Sequence, residues 1–341
     1  MVDSDENLKE SAKKLSLRRT IAVLAGIVVL ILVLVVAAIA VFGLRLGSIF
    51  DDNKSTVQAF PAESSRPAVS NDDSQTILLL GSDSRDGIDP EDINADQDSR
   101  SDVIMVVRIP QDREGIFVVS IMRDSWVEIP GFGMAKINAA MAFGGVPLTV
   151  QTVESLIGSR IDRVALVDFS GFKGLTDALG GVAVDNPGAF STSKFDFPAG
   201  SITLNGDEAL KFVQTRYPFE EGDYRRVQNQ QAYLKGLIST VLSKETLSSP
   251  SKIQNSIKEI SDFVTVDEGF DSGYVVGLLP SLRNVRESDI HFFTAPTAGV
   301  STSLDGQSIG LLDSDMIEKL SEAFVADDLA GYSKALELSA F

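Results

Sequence analysis

The stretch SRSDVIMVVRIPQDREGIFVVSIMRD, Ser99 to Asp124, decides the fold class. Val103 to Ile109 (VIMVVRI) and Ile116 to Met122 (IFVVSIM) are two apolar, β-branched runs, and PQDREG between them is a turn signal. Runs with so little alternation read as strands buried on both faces, a pattern that needs helices on each side of the sheet.

The chain on either side agrees. Upstream, Ile77 to Leu80 is a fully apolar strand that ends at Gly81. Downstream, Leu148 to Ile157 has helical spacing, Val164 to Phe169 reads as a strand, and Gly171 to Leu179 as a helix closed by Gly180-Gly181. Asn205 can cap a helix that runs to about Arg216, with Asp207 and Glu208 in its first turn. Asp223 can cap the next helix, which carries Val227, Leu234, Ile238 and Val241 on one stripe. Helical patterns follow at 251–264 and 270–283, then a strand around His291 and a helix at 314–325. The expected fold is α/β: a three-layer α/β/α domain around a central mixed sheet.

Composition narrows the function. Of 341 residues, 44% are hydrophobic and 23% charged, enough for a substantial core. The net charge of -18 argues against a nucleic-acid coat. The absence of cysteine excludes thiolate catalysis, disulfides and cysteine-bound zinc. The one histidine, His291, sits in DIHFFTA and reads as a strand residue near the core. With no nucleophile-elbow sequence to pair with it, ordinary serine-hydrolase chemistry is not indicated.

Ile21 to Phe42 is a run of 22 residues without a charge. At about 1.5 Å per residue a helix of that length crosses a hydrocarbon core of about 30 Å. Lys9, Lys13, Lys14, Arg18 and Arg19 precede it, so the positive-inside rule puts the N-terminus in the cytoplasm and the rest outside. A cleaved signal peptide is the alternative, with Ala38-Ile39-Ala40 as the site, but the run is long for one. The expected organisation is a cytoplasmic tail at 1–20, one transmembrane helix at 21–43, a flexible extracytoplasmic linker at 44–75 and a catalytic domain at 76–331. The linker is inferred from its Asp, Pro and Ser content.

Arginines and aspartates gather at the ends of the predicted strands. Asp83 and Arg85 follow the first, Arg100 and Asp102 precede the second, and Arg123 and Asp124 follow the third. Open α/β sheets hold ligands at such ends. If the second and third strands pair antiparallel, these residues meet. Asp83 and Asp102 could then share a magnesium ion, which takes one or two protein carboxylates and completes its shell with water and phosphate oxygens. Arg85, Arg100 and Arg123 offer planar donors for bidentate phosphate contacts. Arg226 and Gln230 are four apart near a helix start, and Arg216 lies across the YPFEEG loop. One Arg-Asp pair is more often a structural salt bridge. Several at strand and helix ends point to a phosphate-handling site. No GK[ST] follows the glycines, so a nucleoside triphosphate is not indicated.

At these residues the sequence resembles the LytR-CpsA-Psr family of cell-wall ligases. The matching pieces are LLLGSDSR, SRSDVIMVV, SIMRDSWVEIPGFG, KINAAMAFGG, VDFSGFKGLTDALGGVAVD, LNGDEALKFV and GDYRRVQNQQ, in family order over about Thr76 to Ser243. The resemblance implies a membrane-anchored phosphotransferase. Such an enzyme moves a glycopolymer from a polyprenyl-pyrophosphate carrier to an acceptor hydroxyl, usually in peptidoglycan, with magnesium assisting. By motif, Asp83 and Asp102 would hold the metal. Arg85, Arg100, Arg123, Lys136, Arg216, Arg226 and Gln230 would hold the pyrophosphate. The catalytic group would be Asp83, Asp102, Arg123 and Asp124, with Asp124 or a metal-side aspartate as the base.

The chain departs from the family pattern at three points. Gln214 stands where an arginine is usual, Asn229 replaces the arginine of an Arg-Gln-Gln run, and Met122 replaces a common proline. The lost charge motivates a second reading, a catalytically weak scaffold or regulator that binds lipid intermediates. A third is a polyprenyl-pyrophosphate hydrolase with water as acceptor.

Overall fold

The computed structural model describes residues 47–70, 72–82, 101–215, 223–241, 254–255, 257–258, 261, 264–282 and 284–339. Asp83, Arg85, Arg100, Arg216 and the expected membrane span at 21–43 lie outside these residues, and at Asp102 the backbone alone is described. Among the described residues no helix is long and apolar enough to cross a membrane.

The two runs that opened the sequence reading are strands β3 (Ser101–Ile109) and β4 (Ile116–Ile121). They pair antiparallel, with Ile104 opposite Ile121 and Arg108 opposite Phe117. On the other side β3 pairs antiparallel with β2 (Gln75–Ser82). Strand β7 (Arg163–Asp168) lies parallel to β2, and β13 (Ile290–Thr294) parallel to β4. With β12 (Val264–Asp267) and β1 (Ser55–Val57) the sheet has seven strands, in the order β1-β12-β7-β2-β3-β4-β13. It is mixed, as expected. The C-terminal ends of β2, β4, β7 and β13 and the start of β3 therefore share one edge.

Helices cover both faces. Alternate residues of the strands (Leu78, Leu80, Ile104, Val106, Val119, Ile121) form one core with helix α1 (Ala139–Ile157) and helices at the chain's end. Each fully buried aliphatic side chain there contributes about 1.5–3 kcal/mol. Non-helical Gly144 and Gly145 break α1, and Pro147 opens its longer part. On the other face Ser120 accepts a hydrogen bond of 2.9 Å from Nε2 of Gln231, a residue of α4 (Asp223–Val241).

A second core joins α4 to a smaller layer. It comprises α2 (Phe169–Ala178), the β8 (Val182–Asn186) and β11 (Gly200–Leu204) hairpin, the short pair β9 (Phe190–Ser191) and β10 (Asp196–Phe197), and α3 (Gly206–Gln214). Phe190, Phe197 and Phe212 pack ring on ring at its centre. Asn205 caps α3 as its sequence implies: its side chain accepts from Glu208 N at 3.0 Å, and the Glu208 carboxylate accepts from Asn205 N at 3.0 Å. After helix α5 (Ser272–Leu278) and β13 come the hairpin β14 (Thr297–Thr302) and β15 (Ser308–Leu312), then α6 (Ser314–Val325) and α7 (Leu329–Ser339).

Two expected boundaries need correction. Residues 55–66 are part of the fold, not of a linker. Strand β1 pairs parallel with β12, Ala59 is buried in the main core, and Phe60 packs against it. Arg66 anchors the segment by donating from Nη2 and Nε to Oε1 of buried Glu154 (2.7 and 3.1 Å), an oxygen that also accepts from Ile161 N at 2.9 Å. Polar composition hid this, because the segment is held by few residues. The domain also runs past residue 331: Leu329 and Tyr332 are core residues of α7. His291 does lie on a strand, but β13 is an edge strand, and the imidazole is exposed and stacked on Phe117 at 5.1 Å.

Candidate functional site

Of the predicted site residues, Arg123, Asp124 and the backbone of Asp102 lie at the shared sheet edge. Gly81 lies opposite Val103, yet the next pair is Ser82 with Ser101, so Asp102 is the additional residue of a β-bulge. Bulges kink a strand locally and re-aim side chains. Gly81 permits the close approach beside it, since a Cβ there would lie 2.9 Å from the Cβ of Val103. Asp83 follows directly on Ser82. The two aspartates are thus each one residue from the last β2–β3 pair. Continuing the β3–β4 register beyond Ile104–Ile121 brings Asp102 opposite Arg123. The condition set by sequence, that β3 and β4 pair antiparallel so that their charged ends meet, is satisfied.

After β4 the chain turns, with Ser125 N donating to Met122 O at 2.9 Å, and enters the hairpin β5 (Trp126–Ile129) and β6 (Gly133–Lys136). Trp126 opposite Lys136 sets its register. That register returns Lys136 to the start of the hairpin, where its Nζ lies 3.0 Å from one carboxylate oxygen of Asp124. The Arg123 Nε lies 3.7 Å from the other. The backbone holds this cluster from both sides. Asn138 N donates to Arg123 O at 3.2 Å, and Gly310 N of β15 donates to Asp124 O at 2.9 Å. Both cations are about four-fifths buried, which strengthens their field.

Helix α4 brings the second group. Arg226 is 4% exposed and Gln230 7%. Gln231 fixes the helix to the sheet edge through Ser120 and, at 3.4 Å, Thr294 Oγ1. Arg226 stands five residues before Gln231, about 7.5 Å along the axis. Gln230 donates to Val213 O at 3.4 Å, and Asn229 to Phe212 O at 3.1 Å. Both amides therefore serve the carbonyls at the end of α3, which have no partner within that helix. Asn229, which stands where the family usually has an arginine, is a buried tie between two helices. Gln214, the last residue of α3, is exposed. Arg225 is committed elsewhere, donating to Gly188 O at 2.9 Å.

The structure thus joins Arg123, Asp124 and Lys136, and the β3–β4 register, extended past its last pair, aligns the backbone of Asp102 with Arg123. It places Arg226 and Gln230 on the helix pinned beside the same edge. Sequence reasoning missed Gln231 and the tie of Asn229 to α3, since both partners come from other elements. A groove of about 550 Å³ runs beside Gln231, walled by Ala232, Lys235, His291, Phe293 and Leu336.

The sequence pattern of the LytR_cpsA_psr family matches residues 47–324. The chain belongs to the LytR-CpsA-Psr family. Among its relatives is the polyisoprenyl-teichoic acid–peptidoglycan teichoic acid transferase TagU of Enterococcus faecalis, 32% identical over 256 residues, covering 74% of this chain and 80% of that protein. A probable cell wall biosynthesis protein, LcpB of Corynebacterium glutamicum, is 36% identical over 259 residues, covering 74% of this chain and 61% of its own length. The crystal structure of TagV from B. subtilis superposes with a TM-score of 0.64 at 25% identity, covering 76% of this chain and 98% of that one. In LytR-CpsA-Psr terms, the match begins at residue 47 and so takes in the β1 segment that the sequence reading left outside the domain.

Proposed function

We propose that this chain is a LytR-CpsA-Psr phosphotransferase that moves a glycopolymer from a polyprenyl-pyrophosphate carrier to a cell-wall acceptor hydroxyl. The observation that carries this reading is the Arg123–Asp124–Lys136 cluster at the end of β4, where β3 and β4 pair antiparallel. Phosphoryl transfer needs positioning and charge neutralisation more than a nucleophilic side chain, and this edge offers both.

In the reaction the acceptor oxygen forms a bond to the phosphorus that bears the sugar. The bond from that phosphorus to the bridging oxygen breaks, and polyprenyl phosphate leaves. The acceptor proton passes to a carboxylate. Arg123 and Lys136 hold the pyrophosphate oxygens, joined by Arg226 and by Arg85, Arg100 and Arg216.

A magnesium ion, as the family resemblance implies, would fall to Asp83 and Asp102 by their place in the sequence. Among the described residues no group of three or more His, Asp or Glu forms a cage. Asp124 is occupied by two cations, which leaves Asp83 and Asp102, the one or two carboxylates that magnesium takes alongside phosphate oxygens. When bound, the ion would neutralise charge on the phosphates. The apolar run Ile21 to Phe42 would anchor the chain, with its N-terminus in the cytoplasm and the domain outside.

The test uses the purified full chain, a polyprenyl-pyrophosphate-linked glycan and peptidoglycan. A new phosphodiester between glycan and acceptor is expected. Release of free phosphate without linkage would point to the hydrolase reading, and donor binding without any product to the scaffold reading.

A further inference from the structure

One apolar feature has no place in either core. Phe132 is 55% exposed and Phe143 46% exposed, although both are large apolar side chains. Their rings stack on each other, 4.9 Å between centroids and 17° between planes. Each ring thus has one face against its partner and turns the other to water. The backbone presents them deliberately. Ile129-Pro130-Gly131-Phe132 is a β-turn closed by Phe132 N donating to Ile129 O at 2.9 Å, with Gly131 at φ 81°. Proline followed by a left-handed glycine is the signature of a type II turn. It sets Phe132 at the tip of the β5–β6 hairpin, while Phe143 closes the first turn of α1 just before its break at Gly144.

The hairpin links this pair to the charged cluster. Lys136 is at its base and Gly133 near its tip, three residues apart, so the platform lies on the order of 10 Å from the lysine along the strand. Given the transfer reading above, a pyrophosphate at Lys136 fixes the start of the attached glycan. About two pyranose rings cover that distance. Exposed aromatic faces suit the C–H faces of such rings. A membrane surface is a poorer occupant: a chain of net charge -18 is repelled by anionic headgroups, and exposed Glu128 lies on the same hairpin. An acceptor strand has no comparable fixed point.

We propose that the Phe132–Phe143 pair is a stacking platform for a pyranose ring of the donor glycan, near the pyrophosphate. The proposal rests on the transfer reading and names a subsite for its substrate.

Two probes test it on the full chain in detergent: farnesyl diphosphate, and farnesyl diphosphate bearing an N-acetylglucosamine disaccharide. The wild type should bind the sugar-bearing probe more tightly. The double variant Phe132→Ala/Phe143→Ala should lose roughly tenfold for that probe, the upper worth of an aromatic contact, and nothing for the sugar-free one. Phe132→Tyr/Phe143→Tyr should keep the preference, and Val325→Ser, at another exposed apolar position, should leave both affinities alone. Equal wild-type affinity for the two probes would overturn the platform. Equal losses on both probes would indicate a contact with lipid or detergent instead, and a loss seen only as a raised acceptor KM an acceptor subsite; either overturns the donor assignment. Binding of neither probe by the wild type would refute the pyrophosphate reading itself, and the platform with it.

Discussion

Asp124 faces Lys136 on one side and Arg123 on the other, so its charge is spent on orienting cations. Asp102 is the additional backbone residue of the bulge at the start of β3. The two aspartates should therefore fail differently. Asp102→Asn keeps the size and removes the charge, and should lower kcat by roughly 100-fold or more with little change in stability, the scale of losing one preorganised electrostatic contact. Lys136→Ala should act mainly on donor binding, costing about 1.5–3 kcal/mol, the worth of a charged hydrogen bond. Steady-state kinetics with varied donor separates these outcomes. A kcat effect for Lys136→Ala with unchanged donor KM would reverse the assignment. A third residue reports on pH. Burial raises the Asp162 carboxyl above its usual 3.8, against the hydrogen bond from Thr76 N and the charge of Arg108. A carboxyl raised on folding favours the native state while protonated and loses that contribution as pH rises through the folded value. Asp162→Asn should therefore gain stability relative to the wild type as pH climbs from below 3.8 toward neutrality, which melting curves across pH would detect.

Among the elements, the strands were legible because their apolar runs are long and β-branched, and α3 because Asn205 and Glu208 form a complete capping box. The α6 helix was legible from its spacing at 314–325, and the structure shows Asp313 capping it by accepting from Met316 N. The elements that escaped are those held by partners far along the chain. Strand β1 is three residues long, and its segment depends on Arg66 meeting Glu154. The β5–β6 hairpin has strands of only four residues, and β14–β15 is broken up by Gly, Ser and Thr. Half of the site was legible as chemistry, since Arg123, Asp124 and Lys136 do meet. The other half was not, because Asn229 and Gln230 turn their amides to α3, a pairing that no spacing rule on α4 reveals. Two substitutions test this reading of the elements. Glu154→Ala leaves the Arg66 guanidinium buried without its carboxylate and should cost about 3–5 kcal/mol, releasing the β1 segment. Urea unfolding gives the cost, and hydrogen exchange at residues 55–66 shows whether that segment opens first. Gly81→Ala forces a methyl against Val103 and should cost about 1–3 kcal/mol while shifting the Asp102 bulge, so activity should fall further than stability explains.

For the whole molecule, the charge balance pulls two properties in opposite directions. The chain carries 48 acidic and 30 basic side chains, so the folded domain repels itself. Added salt screens that repulsion and should raise the melting temperature. The candidate site sets two cations, Arg123 and Lys136, around Asp124 at one sheet edge, and Arg226 is buried on the helix tied to that edge. Screening there weakens attraction for a pyrophosphate that carries several negative charges at neutral pH. Between low salt and about 0.15 M, where the Debye length falls to about 8 Å, donor affinity should drop while stability rises. A protein that bound its donor mainly through the prenyl tail would show the reverse, because salt strengthens apolar association and leaves the charge contribution small. Melting curves and donor titrations across one series of sodium chloride concentrations separate the two. Donor affinity that holds steady or improves while the melting temperature climbs would mean that the arginine and lysine edge is structural and that recognition lies elsewhere.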